Sequence, residues 1–208
     1  MIIKEKTGLA NRNSVRSFIT INIPFDLSRQ LSQVVKILSK EARNFTFVPI
    51  DQMHITLQFL GDQVSKESLK QIASKLTPLI TQIEPPVIKT GQLRFGHKSQ
   101  MIPTVLFLEV EQTEEMQNIT KLIHYGIKGL SLHDVRREKD YKKLIYHITL
   151  GRAKHHVSRS FGRQIINIIK TATVPEFEFK PDRIHLLNSK YTIKGHKYSE
   201  FSSFAFKS

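Results

Sequence analysis

The chain has 208 residues, of which 39% are hydrophobic and 24% charged, a globular composition that excludes a disordered chain. No apolar run nears the roughly 18 residues of a membrane span, and the absence of cysteine excludes a disulfide framework, a thiolate metal site and a Cys nucleophile. The 32 Lys and Arg outnumber the 18 Asp and Glu for a net charge of +14, which predicts a polyanionic partner, nucleic acid being the commonest.

Residues 1–16 carry charge but no apolar stretch of signal-peptide length. They read as a flexible tail before a single domain over 17–208, with the cytoplasm as the expected location. Residues 17–23 (SFITINI) alternate as a strand does, and Asp26 stands where it could cap a helix striped by Leu27, Leu31, Val34, Val35 and Leu38. Residues 54–60 (HITLQFL) form the next strand. Ser65 opens a helix striped by Leu69, Ile72, Ala73 and Leu76 that should stop near Pro78, and 87–95 is a third strand.

The second half follows the same order. Residues 104–110 (TVLFLEV) form a strand, Thr113 caps a helix facing Met116, Ile119, Leu122 and Ile123, and 147–150 (HITL) starts a strand. Ser158 precedes a helix with Phe161, Ile165, Ile168 and Ile169 on one side, and 177–187 is a strand after Pro175. Residues 184–191 and 198–206 form a hairpin around Lys194-Gly195, with Phe201, Phe204 and Phe206 as packing residues.

Offsets between the halves are nearly constant. Thr104 minus Ser17 and Thr113 minus Asp26 both give 87; His147 minus His54 and Ser158 minus Ser65 both give 93. The step of six falls in the basic loop 129–146. Two related strand–helix–strand–helix–strand units facing each other are expected.

The repeated HITL carries the chemistry. On a strand, residues i and i+2 share a face, so His54, Thr56 and Gln58 should point one way and Ile55, Leu57 and Phe59 into a core. His147 and Thr149 repeat the arrangement. With an ordinary pKa near 6.5, one imidazole can take a proton while the other gives one, and two hydroxyls can donate to phosphate oxygens. Zinc is the rival reading. Neither motif has a second His one helical turn away, and the adjacent His155-His156 pair points to opposite faces if extended.

At these residues the chain resembles the 2H phosphoesterase superfamily, nearest the bacterial and archaeal RNA 2′,3′-cyclic phosphodiesterases, also described as 2′-5′ RNA ligases. The resemblance rests on HITLQFLG (54–61) and HITLGR (147–152), with an opening SFITINIP and a closing LLNSKYTIKGHKYSEF, and covers roughly residues 16–206. It implies an α+β fold, bilobal and pseudo-twofold, with two antiparallel sheets flanked by helices around a central cleft. It implies His54 and His147 as catalytic residues, Thr56, Thr149 and Arg152 as phosphate-binding residues, no cofactor and no metal. The expected partner is an RNA end bearing a 2′,3′-cyclic phosphate (or a 2′-5′-linked oligonucleotide), met by a monomer away from any membrane.

Two departures from the family pattern stand out. Tyr146 replaces the proline common before the second His, and strict alternation turns Arg152 away from His147 unless Gly151 bends or bulges the strand. His147 is expected as the base on water and His54 as the acid on the leaving oxygen, the 3′ oxygen leaving to give a terminal 2′-phosphate. The same residues would serve a 2′-5′ ligase or phosphodiesterase. Outside catalysis the alternatives are a module that only binds RNA and a nucleotide-binding regulatory domain using the same cleft. The basic loop 131–146 is expected to hold RNA backbone, and Tyr146, Phe45 and Phe95 are candidates for stacking on the terminal base.

Overall fold

Each half of the chain builds strand, helix, strand, helix, strand, as the periodicity predicts. The computed structural model describes residues 14–41, 45–96, 104–130, 132, 144–153, 159–172, 174, 176–192 and 195–207. In chain order the first half is β1 (Ser14–Asn22), α1 (Phe25–Glu41), a short β2 (Phe45–Phe47), β3 (His54–Ser65), α2 (Lys66–Ile80) and β4 (Ile88–Phe95). The second is β5 (Val105–Val110), α3 (Glu114–Gly126), β6 (His147–Ala153), α4 (Arg159–Thr171), β7 (Glu178–Phe179) and β8 (Arg183–Thr192), with β9 (Gly195–Ala205) completing a hairpin.

The caps act locally as their residue types dictate. Ser65 Oγ accepts from the Ser68 N–H at 3.0 Å and Thr113 Oγ1 from the Met116 N–H at 3.3 Å, each relieving an orphan donor of the first turn. Asp26 is not a cap: α1 begins one residue earlier, and Asp26 sits in its first turn, where a negative charge favours the helix N-terminus. Helix α2 ends near Pro78 as expected, two residues on at the fully buried Ile80. The single strand expected over 177–187 is two strands. Pro181, which has no N–H for a ladder, lies at the break, where the chain leaves β4 for the other end of the sheet. The cap position Ser158, the turn residue Lys194, most of the loop 129–146 and the His155-His156 pair lie outside the described residues.

Every strand pairing is antiparallel, in the order β7-β4-β5-β6-β3-β1-β8-β9, with β2 added on β6. This order reads alike from both ends of its central six strands. Each half pairs its own first two strands and lends its third to the other half. The register repeats with the same offsets: Asn22 faces His54 as Glu109 faces His147, and Thr20 faces Thr56 as Phe107 faces Thr149. The two expected sheets are therefore halves of one curled sheet. They meet where β3 and β6 share the pair Ile55 and Ile148, the residues that follow each histidine.

One face of this sheet is covered by helices. Ile19, Ile21, Ile55, Leu57, Leu106, Leu108, Ile148 and Leu150 are buried together with the stripes Leu27, Leu31 and Leu38 of α1, Leu69, Ile72 and Leu76 of α2, and Met116 and Ile123 of α3. Burying each such side chain contributes roughly 1.5–3 kcal/mol. The residues alternating with these apolar positions are thereby turned to the opposite face, toward the cleft.

Candidate active site

The pair Ile55 and Ile148 sets the centre of the cleft. Continuing that antiparallel register by one residue places Thr149 beside His54 and Thr56 beside His147, so each imidazole neighbours the hydroxyl of the other motif. All four line a cleft of about 560 Å³. Each ring is fixed in the same way: His54 Nδ1 donates to the Gln52 carbonyl at 2.7 Å, and His147 Nδ1 to the Ile145 carbonyl at 2.9 Å. A carbonyl only accepts, so Nδ1 carries the proton in both neutral rings and Nε2 is the nitrogen that can take or give one.

Arg152 also lines the cleft, and the bulge it needs is present. Leu106 faces Gly151 while Phe107 faces Thr149, leaving Leu150 as an extra residue that reverses the alternation. Gly151 fits this bend closely: a Cβ there would stand 3.0 Å from the Phe47 ring and 3.3 Å from the Thr46 carbonyl on β2. The first half bulges at the equivalent place, between Ile19 facing Gln58 and Thr20 facing Thr56. Strict alternation was therefore wrong beyond Leu57. Gln58 is buried at 2% exposure, and Phe59, expected in the core, lines the cleft at the position equivalent to Arg152. A second shift between Ser17 and Phe18 leaves Leu60 extra, and Gly61 takes a φ of 135° there, which suits glycine.

The two imidazoles have different ring neighbours. His54 is walled by Phe18, stacked at 5.2 Å, and by Tyr198, edge-on at 5.2 Å. Burial, opposed by the Gln52 hydrogen bond and aided by His147 and Arg152, lowers its pKa to about 4. It is neutral at pH 7. His147 rests against Phe107 at 5.1 Å and pairs in the ladder with Glu109, whose carboxylate is held by Arg94 at 3.1 Å. Among the described residues, no group of three or more His, Asp or Glu side chains gathers in a way that could hold a metal ion.

The model of the 2′-5′ RNA ligase superfamily matches residues 48–191, a span that includes both His-x-Thr pairs. The chain belongs to this superfamily. Its relatives include a Thermotoga maritima protein named RNA 2′,3′-cyclic phosphodiesterase, 28% identical over 185 residues that cover 88% of this chain and 91% of that one. A Methanothermobacter thermautotrophicus protein of the same name is 23% identical over 190 residues, covering 91% and 98%. The crystal structure of TT0787 of Thermus thermophilus superposes with a TM-score of 0.71 at 20% identity, covering 92% and 98%, and shows the shared fold.

In this member of the superfamily, several cleft residues escaped the periodicity. Arg16, expected in the tail, belongs to β1; its guanidinium lies 4.4 Å over the Phe59 ring and pairs with Asp62. Phe18, Tyr198 and His196 come from strands whose signal was only apolar alternation. The hairpin histidine and tyrosine stood in the KGHKYSEF segment, where a polar aromatic beside a basic residue was the available sign. The candidate stacking aromatics are core residues instead. Phe45 and Phe95 pack on each other at 5.5 Å, and Tyr146 is 1% exposed. Its hydroxyl donates to the Met116 carbonyl at 3.0 Å and meets Thr120 Oγ1 at 2.8 Å, which anchors the residue before His147 to α3. Phe204 and Phe206 are buried, as their expected packing role requires. No helix among the described residues is long and apolar enough to cross a membrane.

Proposed function

We propose that the chain hydrolyses 2′,3′-cyclic phosphate ends of RNA to 2′-phosphates, using His54 and His147 as a metal-free acid–base pair. The observation that carries this reading is the convergence of two His-x-Thr pairs on one cleft, each ring pinned at Nδ1 so that Nε2 is the working nitrogen. The names of the Thermotoga and Methanothermobacter relatives support the substrate.

In this mechanism the oxygen of a water molecule bonds to phosphorus while its proton passes to one imidazole. The bond from phosphorus to the ribose 3′ oxygen breaks, and the other imidazole protonates that oxygen. Thr56, Thr149 and Arg152 donate to the non-bridging oxygens, where charge accumulates. Burial of His54 favours an order of roles opposite to the one expected from sequence. An imidazole that stays unprotonated at neutral pH can serve as the base on water, which leaves His147 as the acid.

The superfamily's description favours one second reading: a 5′-hydroxyl replacing water at the same centre would form a 2′-5′ linkage. Water is in vast excess and no nucleotide cofactor is implied to drive joining, so hydrolysis is the net direction proposed. The test is an oligoribonucleotide with a 2′,3′-cyclic phosphate end, incubated in excess EDTA with product typing. A 2′-phosphate product formed at undiminished rate is expected. A 3′-phosphate product, or full inhibition by the chelator reversed by added metal, contradicts the reading.

A further inference from the structure

The cleft does not end at the reacting histidines. From His54 a continuous series of rings runs out along the β8–β9 hairpin. Tyr198 stands edge-on to His54 and to Phe18, His196 stacks on Tyr198 at 6.4 Å and 24°, and Tyr191 meets His196 edge-on at 5.3 Å. The register explains the alignment. Tyr191 faces His196 and Ser189 faces Tyr198, so all four share one face, and Arg16 joins it opposite Ser189 from β1. Lys190 and Lys197, which face each other, lie on the reverse side. Core packing accounts for Phe204 and Phe206 of the same hairpin, but it does not account for Tyr191, which is 81% exposed.

Cationic charge accompanies the rings. Arg16 and Arg152 line the same cleft as His196 and Tyr198, and His196 is held below the usual imidazole range first by burial and then by these two guanidinium groups, opposed by Asp62, the ion-pair partner of Arg16. Flat ring surfaces beside fixed positive charge are what an unpaired nucleic-acid strand requires, since every base offers a π-face and every linkage a phosphate.

We propose that this face is a single-strand RNA track, on which nucleotides preceding the cyclic end stack on Tyr198, His196 and Tyr191 while Arg16, beside its exposed partner Asp62, reaches a neighbouring phosphate. The proposal rests on the reaction proposed above and narrows its substrate to unpaired oligoribonucleotide ends. A duplex keeps its base faces stacked on one another and cannot use the rings. Mononucleotides reach only the inner cleft.

The test compares kcat/KM for a cyclic mononucleotide, a single-stranded pentaribonucleotide with a cyclic phosphate end, and that strand annealed through its last nucleotide. Wild-type enzyme should favour the single-stranded pentamer over both others by about 10-fold or more. Tyr191→Ala should remove most of this advantage and Tyr191→Phe should keep it; the side chain is exposed, so neither change threatens folding. Equal kcat/KM for pentamer and mononucleotide, or an advantage untouched by Tyr191→Ala, overturns the track and leaves the cyclic phosphodiesterase reading standing. No turnover of any of the three substrates by folded wild-type enzyme overturns both.

Discussion

The burial that keeps His54 unprotonated at neutral pH also makes the fold sensitive to acid. The His54 pKa is about 4 in the folded chain against 6.5 ordinarily, so the folded state disfavours the proton. That contribution to stability is complete above pH 6.5 and is lost as pH falls toward 4; the gap corresponds to about 3 kcal/mol. Between pH 7 and pH 4.5 the loss of urea stability should be larger for wild type than for His54→Gln, and equal losses in both proteins would refute the burial argument. In kcat/KM, the acid limb assigned to this base should fall near pH 4, with activity rising as the pH passes it. Thr20 offers a contrast. Its hydroxyl is fully buried beside Thr56 and has no hydrogen-bond partner among the described residues. Thr20→Val should be neutral or stabilising by up to about 1 kcal/mol in the same urea assay, whereas a loss of that size would reveal a partner for the hydroxyl.

At the scale of elements, the bulges decide which side chains reach the cleft. Gly151→Ala sets a methyl against Phe47 and Thr46, so β6 must shift against β2 just before Arg152. The expected result is a loss of about 10-fold or more in kcat with a modest fall in Tm, since a small misplacement of a positioned donor is costly. A fall in stability with kcat intact would show that the bend serves packing alone. These bulges also mark how far the sequence could be read. Apolar periodicity located every long strand and helix, and the constant offsets 87 and 93 held through to the residue-by-residue register. An extra residue in a strand leaves no trace in hydrophobicity when its neighbours are Leu, Gln and Phe. Gln58 and Phe59 were therefore read on the wrong faces, while the glycine before Arg152 gave the one local hint. The three-residue strand β2 is too short to show a period. The division of 177–187 depends on a crossover to a distant partner strand, β1, which local pattern does not encode.

For the whole molecule, the palindromic strand order explains why one cleft contains two copies of one motif. Each half lends its third strand to the other, so neither half completes its part of the sheet alone, and the histidines flank the approximate axis between β3 and β6. The net charge of +14 should draw RNA in over distance. For an oligonucleotide substrate kcat/KM should therefore fall steeply between about 50 and 200 mM salt, with kcat nearly unchanged; a flat response would remove long-range charge from the account. The most direct measurement of the central claim is chemical rescue. His54→Ala and His147→Ala should each lose about 100-fold or more in cyclic phosphate hydrolysis, and added imidazole should restore part of each. Rescue of His54→Ala should follow neutral imidazole, rising with pH, while rescue of His147→Ala should follow imidazolium, falling with pH. The opposite pattern would exchange the two roles within the pair. Two variants of near wild-type activity, or rescue of both by the same form of imidazole, would contradict an acid–base pair altogether.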